Sequence, residues 1–331
     1  MKIFITGATG YIGHNLALTL ANQGYSVHAL VRNIQSDCLP VHDNIKLFKG
    51  DINDVDSIKT AITGCDYAYH VAAFARLGDT YNEAFYRVNV QGTENVLAQA
   101  LEAGIKKFVF TSSVAVLGPS MNFPLTENDP RIKTFNNDYE LTKSIAEKLV
   151  TSYNKKGLPG VIVSLSRVYG PGVGSKTSGV NKFISMTLMG KRLVLPSGQN
   201  AEANYVFIDD VINGHLLAMS NGIPGEKYII GGEDASFEKL FSTIIPLTGK
   251  KVKFIKIPYN LIRAGCYLPY LQARITLREP TLSPVILDQL FTNRKVSSQK
   301  AIENLGYSFT PLQMGIEKTI QFLTSAKNGT N

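Results

Sequence analysis

The first half of this 331-residue chain alternates short β-prone runs with helical patterns, and this alternation limits the fold more than any other feature. Strands are predicted at residues 2–6, 26–31, 45–49, 67–71, 108–111 and 161–165. Helices are predicted between them, at residues 11–23, 55–63, 81–103 and 139–155. Because the strands are apolar on both faces, they predict a parallel sheet with helices on each side, an α/β doubly wound fold.

The regular alternation ends at about residue 170. Short strands are then predicted at residues 205–208, 227–230 and 252–255, mixed with helices at 209–220, 237–247 and 311–323. This change of pattern predicts two domains, at residues 1–168 and 169–331. The second is a smaller mixed α/β lobe that shares some elements with the first.

A glycine-rich turn, TGATGYIG at residues 6–13, follows the first predicted strand and opens the first helix. Gly7 allows a tight turn, Gly10 lets the backbone approach a pyrophosphate, and Gly13 lets the helix pack closely on the strand. The helix N-terminus adds N–H groups that can bind phosphate. The first domain is therefore predicted to bind a dinucleotide, and the second to bind substrate. The predicted contacts in the turn are Gly7, Thr9, Gly10, Tyr11, Ile12 and Gly13.

The end of the second strand helps to select the dinucleotide, because an acidic residue there binds the ribose hydroxyls of NAD and an arginine accommodates the 2'-phosphate of NADP. The chain has Arg32 at this place and no acid before Asp37. NADP(H) is therefore favoured and NAD(H) stays open; the alternative for Arg32 is a solvated charge at a strand end. Further cofactor contacts are predicted after the third and fourth strands, at Asp51, Ile52, Val71, Ala72 and Ala73.

Tyr139 and Lys143 are four residues apart in a predicted helix, so they share one face. Thr111, Ser112 and Ser113 end the fifth strand, at the edge where a doubly wound sheet binds ligands. A nearby ammonium favours the phenolate of a tyrosine. We expect Tyr139 to exchange a proton with the substrate oxygen, Ser113 to bind that oxygen, and Lys143 to hold the nicotinamide ribose. The alternative is a surface Tyr–Lys pair.

The cysteines, Cys38, Cys65 and Cys266, have wide spacings that form neither a disulfide framework nor a metal site. No metal is expected, and a reducing compartment fits. The N-terminus has no uninterrupted apolar h-region, and no stretch of about 20 apolar residues occurs. We therefore expect a cytoplasmic protein.

The net charge of +8 is concentrated in one segment, because residues 250–300 hold ten basic and two acidic side chains. An ordinary solvated basic face is the simplest interpretation. An anionic or amphipathic substrate and contact with a membrane surface are the alternatives. No nucleic-acid partner is expected, because no recognised binding motif accompanies the charge.

Together these residues resemble the extended short-chain dehydrogenase/reductase family, part of the NAD-dependent epimerase/dehydratase superfamily, and within it the dihydroflavonol-4-reductase-like branch. The resemblance continues through RVNVQGT at residues 87–93, VYGPG at 168–172, NYVFIDDV at 204–211 and LGY at 305–307. It covers nearly the whole chain and implies a Rossmann fold for the first domain.

The resemblance also implies roles for individual residues. Ser113 matches the family's catalytic serine, Asn89 matches an asparagine that shapes the catalytic site, and Val168 is expected at the cofactor. Contacts with a small-molecule substrate are expected from Arg76, Ser113, Tyr139 and Tyr169. Helices 81–103 and 139–155 often pair between family members, so a homodimer is implied.

Two departures from the family pattern carry information. Sugar-nucleotide epimerases usually have an arginine before the motif at residues 205–210, and this chain has Ala203 followed by Asn204. A nucleotide-sugar substrate is therefore disfavoured. Before the motif at residues 169–171 the family commonly has Arg-Pro or Asn-Pro, and this chain has Ser164 and Leu165, which changes the packing expected against the nicotinamide.

The sequence thus predicts an NADP(H)-dependent oxidoreductase that interconverts a carbonyl and an alcohol on a small to medium hydrophobic or aromatic molecule. The first alternative is a sugar or nucleotide-sugar epimerase or dehydratase that uses the cofactor transiently. The second is a non-catalytic NADPH-binding regulator, which the presence of both Tyr139 and Lys143 disfavours.

Overall fold

The computed structural model describes residues 1–75, 83–190, 192–198, 200–275 and 283–328. Elements are numbered in chain order. Within the described residues, one parallel sheet consists, in spatial order, of β3 (Ile45–Lys49), β2 (Ser26–Val31), β1 (Lys2–Thr6), β4 (Tyr67–His70), β5 (Lys107–Ser113), β6 (Gly160–Leu165) and β10 (Lys227–Ile230). The strand order reverses between β1 and β4, so their carboxyl ends open the crevice in which such sheets bind ligands. The predicted doubly wound parallel sheet is confirmed.

Helices cover both faces of this sheet. In the first half of the chain they are α1 (Tyr11–Asn22), α2 (Val55–Ile62), α3 (Glu83–Tyr86), α4 (Gly92–Glu102) and α5 (Asp138–Lys155). Successive residues of β1 point to opposite faces: Ile3 and Ile5 pack with Leu16 of α1, whereas Phe4 packs with Val96 of α4. All five side chains are buried, so this alternation is what joins the two helical layers through the sheet.

The helix predicted at residues 81–103 is present from Glu83 to Glu102, but it is not α-helical throughout. A π-helical segment, Arg87–Gln91, separates α3 from α4. The wider turn lets the buried side chain of Asn89 reach the backbone of Phe74, beyond the end of β4. Hydrophobic periodicity could not predict this, because the feature depends on a hydrogen-bonding partner that is distant in sequence.

The second half of the chain contributes to two further small sheets and to the main one. β7 (Arg167–Tyr169) runs parallel to β9 (Glu202–Phe207), and β11 (Glu233–Ser236) is antiparallel to β9. β8 (Leu193–Ser197) pairs with β12 (Phe254–Pro258). The helices are α6 (Gly179–Leu188), α7 (Ile208–Asn221), α8 (Phe237–Thr248), α9 (Tyr259–Gly265), α10 (Tyr267–Ile275), α11 (Pro284–Leu290), α12 (Gln299–Leu305) and α13 (Leu312–Asn328).

The longest apolar region of the sequence, residues 257–277, contains two short helices, α9 and α10. Leu261, Leu268 and Leu271 of these helices are exposed. In the described part of the chain, no helix combines the length and the apolar character needed to cross a bilayer.

Tyr169 of β7 packs between β9 and α13 in the second half of the chain. Its side chain is fully buried, stacks edge-on against Phe207, and donates a hydrogen bond to the Leu312 carbonyl at 3.3 Å. A Cβ placed on Gly315 of α13 would lie 2.2 Å from the Tyr169 hydroxyl oxygen. The Tyr169 hydroxyl therefore limits how closely α13 can approach β7.

The first prediction concerns this contact. Gly315→Ala is expected to lower the free energy of unfolding by about 1–3 kcal/mol, the usual cost of overpacking a core. Tyr169→Phe removes the hydroxyl that the new methyl group meets, so the same substitution costs less in that background. Urea unfolding of the wild type, both single variants and the double variant measures the coupling. An equal cost in both backgrounds contradicts the role of the hydroxyl.

Candidate active site

In the turn at residues 6–13, the backbone at two glycines lies closer to other backbone atoms than a residue with a Cβ would allow. Gly7 has φ +77°, and a Cβ there would lie 2.6 Å from the Ala72 nitrogen. A Cβ on Gly13 would lie 2.2 Å from the Gly7 carbonyl oxygen. Helix α1 begins at Tyr11 after Gly10, and no side chain caps it. Its first N–H groups therefore face the crevice with no capping side chain in front of them, the arrangement that binds phosphate.

A cavity of about 420 Å³ runs from this turn along the carboxyl edge of the sheet. It brings together every residue predicted to contact the cofactor. These are Gly7, Thr9, Gly10, Tyr11, Ile12, Gly13, Arg32, Asp51, Ile52, Val71, Ala72, Ala73, Thr111, Ser112, Tyr139, Lys143 and Val168. Backbone glycines at one end, small side chains in the middle and a tyrosine–lysine pair at the other end fit the parts of a nicotinamide dinucleotide.

At the end of this cavity nearest β2 and β3, Arg32 is exposed. Asp51 is held by Asn53, whose backbone and side-chain nitrogens donate to one Asp51 carboxylate oxygen at 2.8 and 2.7 Å. The carboxylate therefore has a fixed orientation.

Tyr139 lies in the first turn of α5. The Asn137 side chain accepts a hydrogen bond from the Glu140 nitrogen at 2.8 Å and so starts this helix. The Ser113 hydroxyl interacts with the Tyr139 hydroxyl. The neighbouring Ser112 hydroxyl instead donates to Glu147 at 2.6 Å. The structure therefore brings Ser113, and not Ser112, to the tyrosine.

Lys143 lies one turn further along α5, with a buried side chain. Its ammonium group donates to the Thr111 carbonyl at 2.6 Å and lies 4.0 Å from the centre of the Phe110 ring. Burial lowers the pKa of Lys143 to about 7, although the Glu147 carboxylate acts in the opposite direction.

Burial raises the pKa of the Tyr139 hydroxyl, and the Ser113 hydroxyl and the Arg294 guanidinium oppose this rise. The Lys143 ammonium is directed at the Thr111 carbonyl, and Arg294 is a second cation near the tyrosine that the sequence did not indicate. Tyr139 is therefore in the form that can donate a proton.

Asn89 was expected in the catalytic group, but the structure gives it a positioning role. Its side-chain oxygen accepts from the Phe74 nitrogen at 2.8 Å, and its side-chain nitrogen donates to the Phe74 carbonyl and the Thr142 hydroxyl at 3.1 Å each. Thr142 precedes Lys143 in α5. Asn89 therefore joins the segment after β4 to the helix that carries Tyr139 and Lys143, and it contacts neither reacting group.

One predicted substrate residue, Tyr169, lies away from the site. The Tyr169 side chain is directed into the core against Phe207, so the expectation that it contacts substrate is wrong for this structure. Arg76 lies outside the described residues.

A second cavity, of about 290 Å³, adjoins the first. The two share Ser113, Tyr139, Leu165, Ser166 and Val168, so the hydroxyl pair faces both. Its remaining wall combines apolar and polar side chains with three charged ones. The apolar side chains are Val114, Ala115, Val180, Phe183, Phe237 and Leu290, and the charged ones are Glu140, Arg167 and Arg294.

Sequence reasoning missed these three charged residues. Glu140 is 1% exposed and forms ion pairs with Arg294 and, at 2.6 Å, with Arg131. Burial opposes ionisation, but the two arginines and the Asn136 nitrogen hold the pKa of Glu140 below its usual range. Arg294 belonged to the basic segment and Arg167 lies beside the VYGPG motif, yet neither signal distinguishes a cavity residue from a surface charge.

Comparisons with known proteins agree with this architecture. The chain belongs to the NAD-dependent epimerase/dehydratase family, whose family model matches residues 3–231. A 3-beta-hydroxysteroid dehydrogenase of Mycolicibacterium neoaurum is 28% identical over 92% of this chain and 86% of its own. A Synechocystis protein named as a dihydroflavonol 4-reductase is 34% identical over 74% of this chain and 72% of its own. The crystal structure of gox2253 superposes on this structure with a TM-score of 0.82 over 98% of each chain, and the two sequences are 31% identical.

These matches confirm the resemblance to the extended short-chain dehydrogenase/reductase family and to dihydroflavonol-4-reductase-like proteins. They also include both reductases and dehydrogenases. A Rossmann-type sheet with a crevice at its carboxyl edge is thus shown by the fold and by the family together.

The second prediction follows from Lys143. A free lysine has a pKa of about 10.4, so between pH 7 and 10 the unfolded chain binds a proton that the folded chain does not. The free energy of unfolding is therefore expected to rise with pH in this window, by up to about 1.4 kcal/mol per pH unit from this residue. Urea unfolding at pH 7 and pH 9 measures the rise, which Lys143→Met should reduce.

The matched control is Lys148→Met, because Lys148 is on the same helix and exposed. It should keep the wild-type dependence on pH. If Lys143→Met shows the same rise as the wild type, the lowered pKa is contradicted.

Proposed function

We propose that this protein is an NADP(H)-dependent oxidoreductase that interconverts a carbonyl and an alcohol on a small to medium hydrophobic or aromatic substrate. The observation that carries the proposal is the position of Ser113 and Tyr139, which line both the dinucleotide-shaped cavity and the adjoining cavity. A hydroxyl pair at such a junction can act on a substrate oxygen while the neighbouring carbon faces the cofactor. Reductases and dehydrogenases among the relatives support this chemistry.

The nicotinamide, when bound, supplies or accepts the hydride. In the reducing direction, the hydroxyls of Ser113 and Tyr139 donate hydrogen bonds to the carbonyl oxygen of the substrate. The raised pKa of Tyr139 keeps its proton available for transfer to that oxygen as the alcohol forms. The Lys143 ammonium lies between the Thr111 carbonyl and the Phe110 ring, from which it can hold the ribose beside the nicotinamide.

The second cavity supports a compact, largely apolar substrate. Its volume is near the lower end of the roughly 300–1,000 Å³ typical of small-molecule sites. Ala203, which stands where sugar-nucleotide epimerases carry an arginine, is 2% exposed in β9 and is not among the described residues that line this cavity. Both observations favour the oxidoreductase over a nucleotide-sugar enzyme.

A panel of aromatic, aliphatic and sugar carbonyls, each incubated with NADPH or NADH, tests the proposal. An oxidoreductase consumes the reduced cofactor in amounts equal to the alcohol formed. Turnover of a sugar without net change in cofactor absorbance favours the epimerase, and the absence of turnover with retained NADPH binding favours the regulator.

The third prediction is that Tyr139→Phe lowers kcat by about 10²- to 10⁴-fold, the range for loss of a general acid, while NADPH binding is retained. Tyr153→Phe is the matched control, because Tyr153 lies on the same helix, is buried, and lines neither of the two cavities. Turnover and fluorescence titration with NADPH measure the two effects. Wild-type turnover by Tyr139→Phe would exclude the assigned role.

The fourth prediction is that Arg32→Ala weakens NADPH binding by about 10- to 100-fold, the effect of losing a hydrogen bond to a charged group, and changes NADH binding by less than about 3-fold. Lys49→Ala controls for the loss of one exposed positive charge at a neighbouring strand end. Dissociation constants for both cofactors measure the difference. An equal loss for NADPH and NADH sinks the 2'-phosphate assignment.

A further inference from the structure

The charged residues of the second cavity indicate the class of substrate. This inference rests on the proposed function. We propose that the substrate carries a carboxylate close to its reacting carbonyl or alcohol, and that Arg167 and Arg294 bind this carboxylate. The proposal stands on the placement of the two arginines, on polar atoms that lack partners, and on the local balance of charge.

Arg294 is fixed beside β9 by its backbone. Its nitrogen donates to the Glu202 carbonyl at 2.8 Å, and its carbonyl accepts from the Asn204 nitrogen at 3.1 Å. One terminal nitrogen of its guanidinium pairs with Glu140, the residue next to Tyr139. Arg294 and Tyr139 line the same cavity. Burial raises the pKa of the Tyr139 hydroxyl, and the Arg294 guanidinium opposes this rise. A group bound by Arg294 therefore lies in the cavity that Tyr139 also lines.

Arg167 reaches the same cavity from β7, where it pairs with Tyr205 of β9, two residues beyond Ala203, the residue with which Arg294 pairs. Its guanidinium donates to the carbonyls of Gln289 and Leu290, at 3.3 and 3.0 Å, and lies 3.5 Å from the Tyr205 hydroxyl. All three partners are neutral. Among the described residues, no carboxylate forms an ion pair with Arg167.

The two arginines act on each other. The Arg294 guanidinium and burial both lower the pKa of Arg167. Glu140 is the acid on the cavity wall, and it is shared between Arg294 and Arg131. The described part of the cavity therefore has an excess of positive charge, which a substrate anion would balance.

Three buried polar atoms of this cavity have no hydrogen-bond partner among the described residues. They are the Ser166 hydroxyl, the Gln289 side-chain nitrogen and the Nε atom of Arg294. All three can donate, and buried donors are normally paired. Ser166 is 9% exposed and lines both cavities, so its hydroxyl is near the hydroxyl pair as well. Unpaired donors beside an arginine pair fit the oxygens of a carboxylate.

The rest of the cavity limits the size of the anion. The apolar side chains of Val180, Phe183 and Phe237 occupy the wall beyond the arginines. A planar carboxylate matches the fork of a guanidinium and leaves this wall for a hydrocarbon or aromatic body. The substrate class is therefore a hydrophobic hydroxy acid or keto acid.

The fifth prediction compares 3-hydroxy-3-phenylpropanoate with its methyl ester as substrates for oxidation by NADP⁺. The wild type is expected to prefer the acid in kcat/KM by about 10-fold or more, because the ester cannot form the charged hydrogen bonds. Arg167→Gln should lower kcat/KM for the acid by about 10- to 100-fold, mainly through KM, and change the value for the ester by less than about 3-fold. Arg294→Gln also loses the ion pair to Glu140 and so slows both substrates, and it should lower the acid-to-ester ratio of kcat/KM by about 10-fold or more. Equal effects on acid and ester overturn the proposal.

Arg131→Gln is the matched control. It removes an ion pair to Glu140, as Arg294→Gln does, but Arg131 is not among the described residues that line the cavity. It should therefore leave the acid-to-ester ratio unchanged. A ratio that falls as much in Arg131→Gln as in Arg294→Gln shows that Glu140 placement, and not anion binding, is responsible.

A binding experiment separates failure of this inference from failure of the proposed function. With NADP⁺ present, calorimetry compares 3-phenylpropanoate, benzoate and octanoate with the corresponding primary amides. Binding of the acids that Arg167→Gln abolishes supports the carboxylate site even where no compound is turned over, an outcome that overturns only the oxidoreductase. Binding of amides as tightly as acids, or of neither, overturns the carboxylate site.

Discussion

The ion pairs of Glu140 are the interaction on which the active-site geometry most depends. This carboxylate is 1% exposed and lies between Arg131 and Arg294. Removing one partner of such a buried group typically costs about 3–5 kcal/mol, because the remaining charge loses its compensation. Glu140 directly follows Tyr139 and shares its helical turn, so the same contacts that satisfy the carboxylate fix the tyrosine. They also bind the C-terminal segment to helix α5, which links the proton-transfer group to the substrate cavity.

A second set of hydrogen bonds fixes the same helix from the side of the sheet. Asn89 connects the Phe74 backbone to Thr142, and His70 lies between the hydroxyls of Thr6 and Thr93 at 2.7 and 3.0 Å. Burial lowers the pKa of His70 to about 3, with Lys143 adding to the effect, so the imidazole is neutral. A neutral ring can donate to one hydroxyl and accept from the other. His70, the last residue of β4, is therefore a structural link that bridges β1 and α4.

The elements that periodicity and glycine placement define could be predicted from sequence. β1, β2, β3 and β10 begin and end where the pattern places them, because each is rich in apolar residues and bounded by turn residues. The glycine turn could be predicted because its geometry is local: successive residues supply the turn and the helix start. The small strands β7, β8 and β11 carry no comparable pattern, because β7 has three residues, β8 contains a proline and β11 is polar, so they depend on partners that are distant in sequence.

The environment of a charge also depends on residues that are distant in sequence. The net charge of a segment therefore says little about function. Of the basic residues between 250 and 300, Arg263, Lys295 and Lys300 form ion pairs with Asp288, Glu202 and Glu226. The residues Lys250, Lys251, Lys253 and Lys256 are exposed. Arg294, from the same segment, instead lines the second cavity with a largely buried side chain, and one buried charge has a stronger effect than several on the surface. Arg167 adds to it from a stretch of sequence with no net excess of charge at all. The feature that bears on substrate is thus the meeting of two arginines that pair with β9 two residues apart, at Ala203 and Tyr205, which only the topology of the small sheet brings about.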